Sequence, residues 1–155
     1  MPTHMEKRVL PYSPGALFDL VADIERYPEF LPWCVACRVR KREGNVVLGD
    51  LMVGFKVFRE TFTSRVELYR PERIEVQYID GPFKYLTNRW LFIPRGETTE
   101  IDFFIDFQFS SRLLETVAGK VFGEAVRRMV TAFETRAHKV LGKGKDLATR
   151  VPKTI

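Results

Sequence analysis

The sequence predicts an α+β domain in which one curved antiparallel sheet wraps around one long C-terminal helix, with a short helical arm after the first strand. Three observations predict it. Residues 101–109, IDFFIDFQF, alternate apolar and polar side chains at the period of a strand with one wet face. That segment closes a series of period-2 stretches separated by turn signals, EGN at 43–45, RPER at 70–73, DGP at 80–82 and PRGE at 94–97, and such short connections favour antiparallel neighbours. From Arg112 to Leu141 the chain then contains no proline, and its apolar residues recur at helical spacing.

Residues 5–11 read as the first strand. Ser13-Pro14 follows as an N-cap with proline at the first helical position, and Leu17, Leu20, Val21 and Ile24 make one apolar helix face. Pro28 ends that helix, and PEFL allows one more turn before Pro32 stops it in turn. The stretch YPEFLPWC, 27–34, is therefore a bent arm carrying Tyr27, Phe30 and Trp33. In the strand beyond it, alternation points Trp33, Val35, Cys37 and Val39 inward and leaves Arg38, Arg40 and Arg42 in a row outside. Phe62, Val66 and Leu68 mark a further strand, Ile74, Val76 and Tyr78 the next, and Trp90 with Phe92 another. In the last strand Ile101, Phe103, Ile105, Phe107 and Phe109 face inward, opposite Asp102, Asp106 and Gln108.

Ser110 and Ser111 cap the long helix. Its apolar face holds Leu114, Val117, Ala118, Val121, Phe122, Ala125, Met129, Ala132, Phe133 and Val140, widened by Val126, Val130 and Ala137 until the helix must be embraced by the sheet. From Gly142 the chain is polar and broken by glycine, so one domain is expected over 1–141 and a flexible polar tail over 142–155.

At 155 residues such a domain buries roughly 68–70% of its unfolded surface. A hydrophobic content of 45%, with 13 Phe, excludes a disordered chain and exceeds what a minimal core requires. A cavity is one use for the surplus, because a sheet can hold its helix slightly off the surface and leave a lipophilic pocket between them. The formal charge of +5 comes from 25 basic residues interspersed with 20 acidic ones, a balance that permits contact with RNA or anionic lipid but does not suggest DNA binding. The N-terminus MPTHMEKRVLPY lacks the apolar stretch of a signal peptide, and no apolar run is long enough to cross a bilayer. A cytoplasmic protein is expected, with peripheral contact at the inner membrane face as the membrane option.

The chemistry-bearing residues are few. Cys34 and Cys37 form a CxxC, but on a strand positions i and i+3 face opposite sides, and the only histidines, His4 and His138, lie far from them in sequence. Neither a redox pair nor a metal site is expected. Asp102 and Asp106 project with Gln108 away from the pocket, and no nucleophile, base and orienting group come together, so no enzyme is expected. The stripe Arg38, Arg40, Arg42 reads as a solvated face or as a contact for phosphate. Arg136 falls inside the apolar arc and must pair with an acid, Asp23 or Glu25 of the arm, or donate to a polar ligand head at the pocket mouth. Gly119 and Gly123 make a GxxxG within the helix, for close packing of another segment or for a ligand chain.

Taken together, YPEFLPWC, DGPFKYLTNRWLFIP, IDFFIDFQFS and VFGEAVRRMVTAFETRA resemble the coenzyme Q-binding protein and ribosome-association toxin family of the START-like (polyketide cyclase, SRPBCC) superfamily, over about residues 4–141. The resemblance implies the helix-grip fold, a seven-stranded antiparallel sheet around the C-terminal helix, and a hydrophobic tunnel associated with ubiquinone binding and respiration. It implies a polyprenyl quinone as ligand without any required cofactor, and, from the toxin branch, the large ribosomal subunit as an alternative partner. Trp33 is more similar to the quinone-binding branch. On this reading Phe30, Leu31 and Trp33 cap the pocket, Val35 and Val39 continue its wall, and Trp90, Phe92, Phe103, Phe107, Val121, Phe122 and Met129 line it, with Arg136 at its mouth.

Overall fold

The computed structural model describes residues 3–31, 33–55 and 58–154. Seven strands, β1 Thr3–Leu10, β2 Cys34–Glu43, β3 Val46–Phe55, β4 Phe58–Tyr69, β5 Arg73–Asp80, β6 Phe83–Arg95 and β7 Thr98–Phe109, are joined by two α-helices, α1 Pro14–Ala22 and α2 Arg112–Thr154. The strands form one antiparallel sheet in the order β1-β7-β6-β5-β4-β3-β2. Chain neighbours are sheet neighbours throughout except at β1, which crosses to pair with β7. The first two strands thus occupy opposite edges, and the segment between them must span the sheet. This is the helix-grip arrangement that the resemblance implies.

Both predicted N-caps form: Ser13 Oγ accepts from Ala16 N at 3.1 Å, and Ser111 Oγ accepts from Leu114 N at 3.1 Å. α1 ends at Ala22, before the proline expected to end it, because Asp23 leaves helical angles with ψ 69°. A 3-10 helix, Ile24–Glu29, carries Pro28 inside it, its tighter bonding tolerating the missing N–H. On α2 the buried residues Ala118, Phe122, Val126, Val130, Phe133 and Ala137 step by three or four along one stripe. The arc predicted from sequence is too wide, since Val117 and Val140 are exposed. α2 also runs on through 142–154, where the sequence suggests a flexible tail, because the Lys, Leu, Ala and Arg of that segment favour helix enough to offset its glycines.

The arm is tied down by three arginines from three different elements. Arg70 at the β4–β5 turn donates to both carboxylate oxygens of Asp19, at 2.8 and 3.0 Å. Arg42 of β2 reaches Glu25 at 3.1 Å, and Arg136 of α2 reaches Glu29 at 2.8 Å. Such pairs on the surface stabilise by little individually, so they place the arm more than they hold it. Its apolar side is held by rings: Phe18 packs edge-on against Phe92 with centroids 5.6 Å apart, and Phe30 and Tyr27 close on Phe133 of α2.

Candidate functional site

Inward alternation on the sheet, the buried stripe of α2 and the underside of the arm meet around an apolar cavity. The space open to the centre of a water-sized sphere there is about 100 Å³. Val21, Ile24 and Tyr27 roof it from the arm, and Phe122, Met129 and Phe133 wall it from α2. The floor is the middle of the sheet, from Leu51 on β3 through Val66 and Val76 to Trp90 and Ile105. A smaller gap beside it, between the β2–β3 edge and α2, is lined by Val53, Gly54, Ala118, Val121 and Ala125. Trp33 and Phe122 line both spaces, so these two rings stand between the cavity and the adjoining gap.

Of the residues assigned to the pocket from sequence, Trp33, Trp90, Phe122 and Met129 line the cavity and Val121 lines the adjoining gap. Phe92, Phe103 and Phe107 lie one layer back, supporting the lining rings: Phe103 is 4.7 Å from Trp90, Phe107 is 4.8 Å from Phe122, and Phe92 stacks beside Trp90 at 6.5 Å. Phe30 and Leu31 do not cap the pocket. Leu31 is wholly buried in the core, and Phe30 is engaged by Phe133 and by the Arg136 guanidinium, 5.0 Å from its ring.

Val35 faces solvent, at 41% exposure. The reason is a β-bulge between Cys34 and Ala36, which inserts one residue and reverses the alternation. Cys34 pairs with Val53 and Cys37 with Leu51, both inner residues, so the two cysteines share the inner side instead of facing opposite ways. Neither thiol is thereby made reactive. Burial, with the neighbouring Cys37 adding to it, pushes Cys34 up to about 12, and burial with Glu25 and Asp50 pushes Cys37 up to about 11. Both stay protonated at neutral pH. Among the described residues no group of three or more His, Cys, Asp or Glu is placed to hold a metal ion.

A second bulge, between Val39 and Lys41, divides the basic stripe. Val39 stays inward, half-buried and opposite Gly49, while Arg38 lies opposite Asp50 and Arg40 reaches the same carboxylate at 3.5 Å. Past the bulge Arg42 lies opposite the buried Val47 and turns to Glu25 of the arm, so it leaves the outer basic face, where Arg38 and Arg40 are joined by Lys41, opposite Leu48. Arg136 is paired as expected but with Glu29, one turn beyond the anticipated partners, and it lines a shallow outer depression with Phe30, Arg128 and Lys139. It is not part of the cavity wall. The guanidinium holds the Glu29 carboxyl below its usual range. Among the described residues Gly119 and Gly123 receive no packing segment, since an added Cβ at either would meet only side chains of α2 itself, Glu115 or Arg127. Asp102 and Asp106 lie outside the cavity; Asp106 accepts from Thr3 Oγ1 at 2.9 Å, and burial raises the Asp102 carboxyl.

Two polar residues on the cavity floor escaped the sequence reading. Ser64 of β4 and Asn88 of β6 occupy inward positions between apolar neighbours, Phe62 and Val66 in one strand and Leu86 and Trp90 in the other. Period 2 alone puts them there, and their polarity is what hid them. Asn88 is fully oriented: its amide donates to Phe104 O at 2.9 Å and its oxygen accepts from Trp90 Nε1 at 3.1 Å. Tyr27 donates its hydroxyl to Val21 O, and burial pushes its pKa up, so it stays neutral.

The profile of the polyketide cyclase / dehydrase and lipid transport family matches residues 10–134. The ribosome association toxin RatA of Rickettsia prowazekii (strain Madrid E) is 41% identical over 138 residues, covering 86% of this chain and 94% of that protein. The mitochondrial coenzyme Q-binding protein COQ10 homolog B of Xenopus laevis is 32% identical over 145 residues, 90% of this chain and 59% of that protein. In fold, a START superfamily protein from Mycobacterium smegmatis superposes with a TM-score of 0.75 over 89% of this chain and 98% of that one, at 20% identity.

Proposed function

The chain belongs to the polyketide cyclase / dehydrase and lipid transport family, and from that premise we propose that it binds a hydrophobic ligand without catalysing a reaction on it, the ligand being a polyprenyl quinone of the ubiquinone type. The observation that carries the reading is the apolar cavity between sheet, helix and arm, floored by Trp90 and divided from the gap beside α2 by Trp33 and Phe122. A dry cavity of roughly 150 Å³ accepts a benzene ring, so the space of about 100 Å³ here must widen, by a shift of the arm or of the rings that line it, to take one ring-sized group, and it has no room for a long tail. The tail of the ligand leaves through the gap beside α2. Each methylene-sized unit it keeps from water contributes about 0.8 kcal/mol, enough for tight binding without metal or covalent chemistry. Support for the quinone comes from the relative named as a coenzyme Q-binding protein. The role that follows is service to respiratory electron transport or quinone biosynthesis, in the cytoplasm or at the inner membrane face; no described helix is long and apolar enough to cross a membrane.

The partition sets the rate of exchange. Organic extraction of the purified protein followed by mass spectrometry is expected to recover a polyprenyl quinone, or else added quinone is expected to titrate the protein. Trp33→Ala should then release it roughly 3- to 10-fold faster, as one lost aromatic contact of about 1 kcal/mol implies. Recovering and titrating no lipophilic molecule removes the reading; wild-type release from a folded Trp33→Ala protein removes only the partition.

A second reading is association with the large ribosomal subunit, favoured by the 41% identity to a protein named for ribosome association. On this reading the outer face of β2 supplies the phosphate contacts. The protein should co-sediment with ribosomal subunits at physiological salt, and Arg38→Glu with Arg40→Glu should abolish it, because each lost phosphate contact weakens binding and its salt dependence. Wild type that stays with the supernatant ends that reading.

A further inference from the structure

Among the described residues, Ser64 Oγ is a buried side-chain oxygen with no hydrogen-bond partner, and it stands in the wall of the cavity. The residue is 8% exposed. An unmade hydrogen bond on a buried hydroxyl costs about 1–3 kcal/mol, a penalty that valine or alanine at the same inward position would avoid. Neither neighbour in register partners the hydroxyl. Across β3 stands Gly49, which has no side chain, and the space that a Cβ there would take is limited by Ile24 Cδ1 of the arm, 2.9 Å from it. Across β5 stands Tyr78, whose own hydroxyl is engaged by Phe83 N at 3.0 Å. A water molecule needs two to four polar partners, and Asn88, the other polar residue of the floor, is already engaged by Phe104 O and Trp90 Nε1. An oxygen carried on an apolar ring needs only one.

We propose that Ser64 is the anchor for a ring carbonyl oxygen, so that the ligand enters head first, with its carbonyl accepting from Ser64 Oγ under the arm and its tail leaving past Trp33 and Phe122. The inference rests on the reading of the cavity as a quinone pocket and adds the direction of binding and the group that recognises the head. Because a hydroxyl both donates and accepts, Ser64 serves the quinone and the reduced quinol alike. It distinguishes an oxygen-bearing ring from a plain hydrocarbon one. That selection is needed in a pocket whose remaining affinity is hydrophobic, since apolar walls alone scarcely discriminate among ligands of similar shape.

The test uses two probes, a trimethyl-1,4-benzoquinone with a five-carbon tail and the same ring and tail without the two oxygens. The quinone is fully substituted, so the Cys37 thiol finds no open ring position. Wild type should bind the quinone more tightly than the hydrocarbon, and Ser64→Ala should weaken the quinone roughly 3- to 10-fold while the hydrocarbon holds or gains. The infrared carbonyl band of the bound quinone should sit lower in wild type and return toward its free position in Ser64→Ala, a change that a merely structural role for Ser64 does not produce. Equal affinities of wild type for the two probes, or a parallel loss of both in Ser64→Ala with an unmoved carbonyl band, overturns the anchor and leaves the pocket. Absence of binding by either probe to wild type overturns the quinone pocket and the anchor together.

Discussion

Phe133→Ala is expected to lower the unfolding free energy by about 3–5 kcal/mol, which for a chain of this length moves the melting midpoint by roughly 6–20 °C. Phe133 is 3% exposed and sits where the three parts of the molecule meet. Its ring centroid is 5.2 Å from Tyr27 and 5.0 Å from Phe30 on the arm, and 4.9 Å from Trp90 on the sheet. All three contacts are near perpendicular, the arrangement in which the ring quadrupoles attract. Truncation removes the three together and opens the cavity wall at once, because Phe133 also lines it. The loss should be uneven: amides of α1 and the 3-10 helix should exchange hydrogen faster than those of β5 and β6, whose ladders do not depend on that ring. A drop below 1 kcal/mol in chemical denaturation, or uniform exchange across the fold, contradicts the placement of Phe133 as the joint.

Val76→Phe is the complementary experiment, since it fills the cavity and spares the fold. Val76 lies on the inner face of β5, opposite Val66 on one side and Asn88 on the other, in the middle of the floor. A phenyl ring projecting from there occupies space that a ligand ring needs. Binding of a quinone should fall by two orders of magnitude or more, which corresponds to about 2.7 kcal/mol or more. Stability should change by no more than about 1 kcal/mol, because the added atoms enter space that is already vacant and Phe suits a strand. A folded Val76→Phe protein that binds quinone as wild type does puts the ligand somewhere other than between sheet and helix.

Much of this architecture is legible in particular residues. The inner faces of β7 and of the buried stripe on α2 follow directly from periods of 2 and 3.6, and both serine caps are where the residue types put them. β3 is hidden from a search for alternation, since VVLGDLMVGF is apolar along most of its length. β2 misled because counting by twos assumes no inserted residue, and its two bulges each reverse the parity. The first turned Val35 out and brought both cysteines in; the second carried Arg42 away from Arg38 and Arg40. The strand count of seven came from the family resemblance, and the cavity's polar floor, Ser64 and Asn88, was open to a reading by parity that a search for apolar residues passes over.

The pairing of the first strand with the last has a consequence for the order of events during synthesis. Thr3 is hydrogen-bonded to Asp106, 103 positions later in the chain, and no earlier strand takes β7's place beside β1. At a ribosomal rate of about 5–20 residues per second, β1 waits roughly 5–20 s between its own emergence and that of its partner. Through that interval it is an unpaired strand with Met5 and Val9 on one side, the kind of segment that templates association between chains. Glu6, Lys7 and Arg8, consecutive in its centre, interrupt any apolar run and repel another copy in register. After β7 arrives, Arg8 reaches across to Glu134 and Thr131 of α2, so one of the charges that protect the nascent strand becomes the one that fastens the finished sheet to its helix.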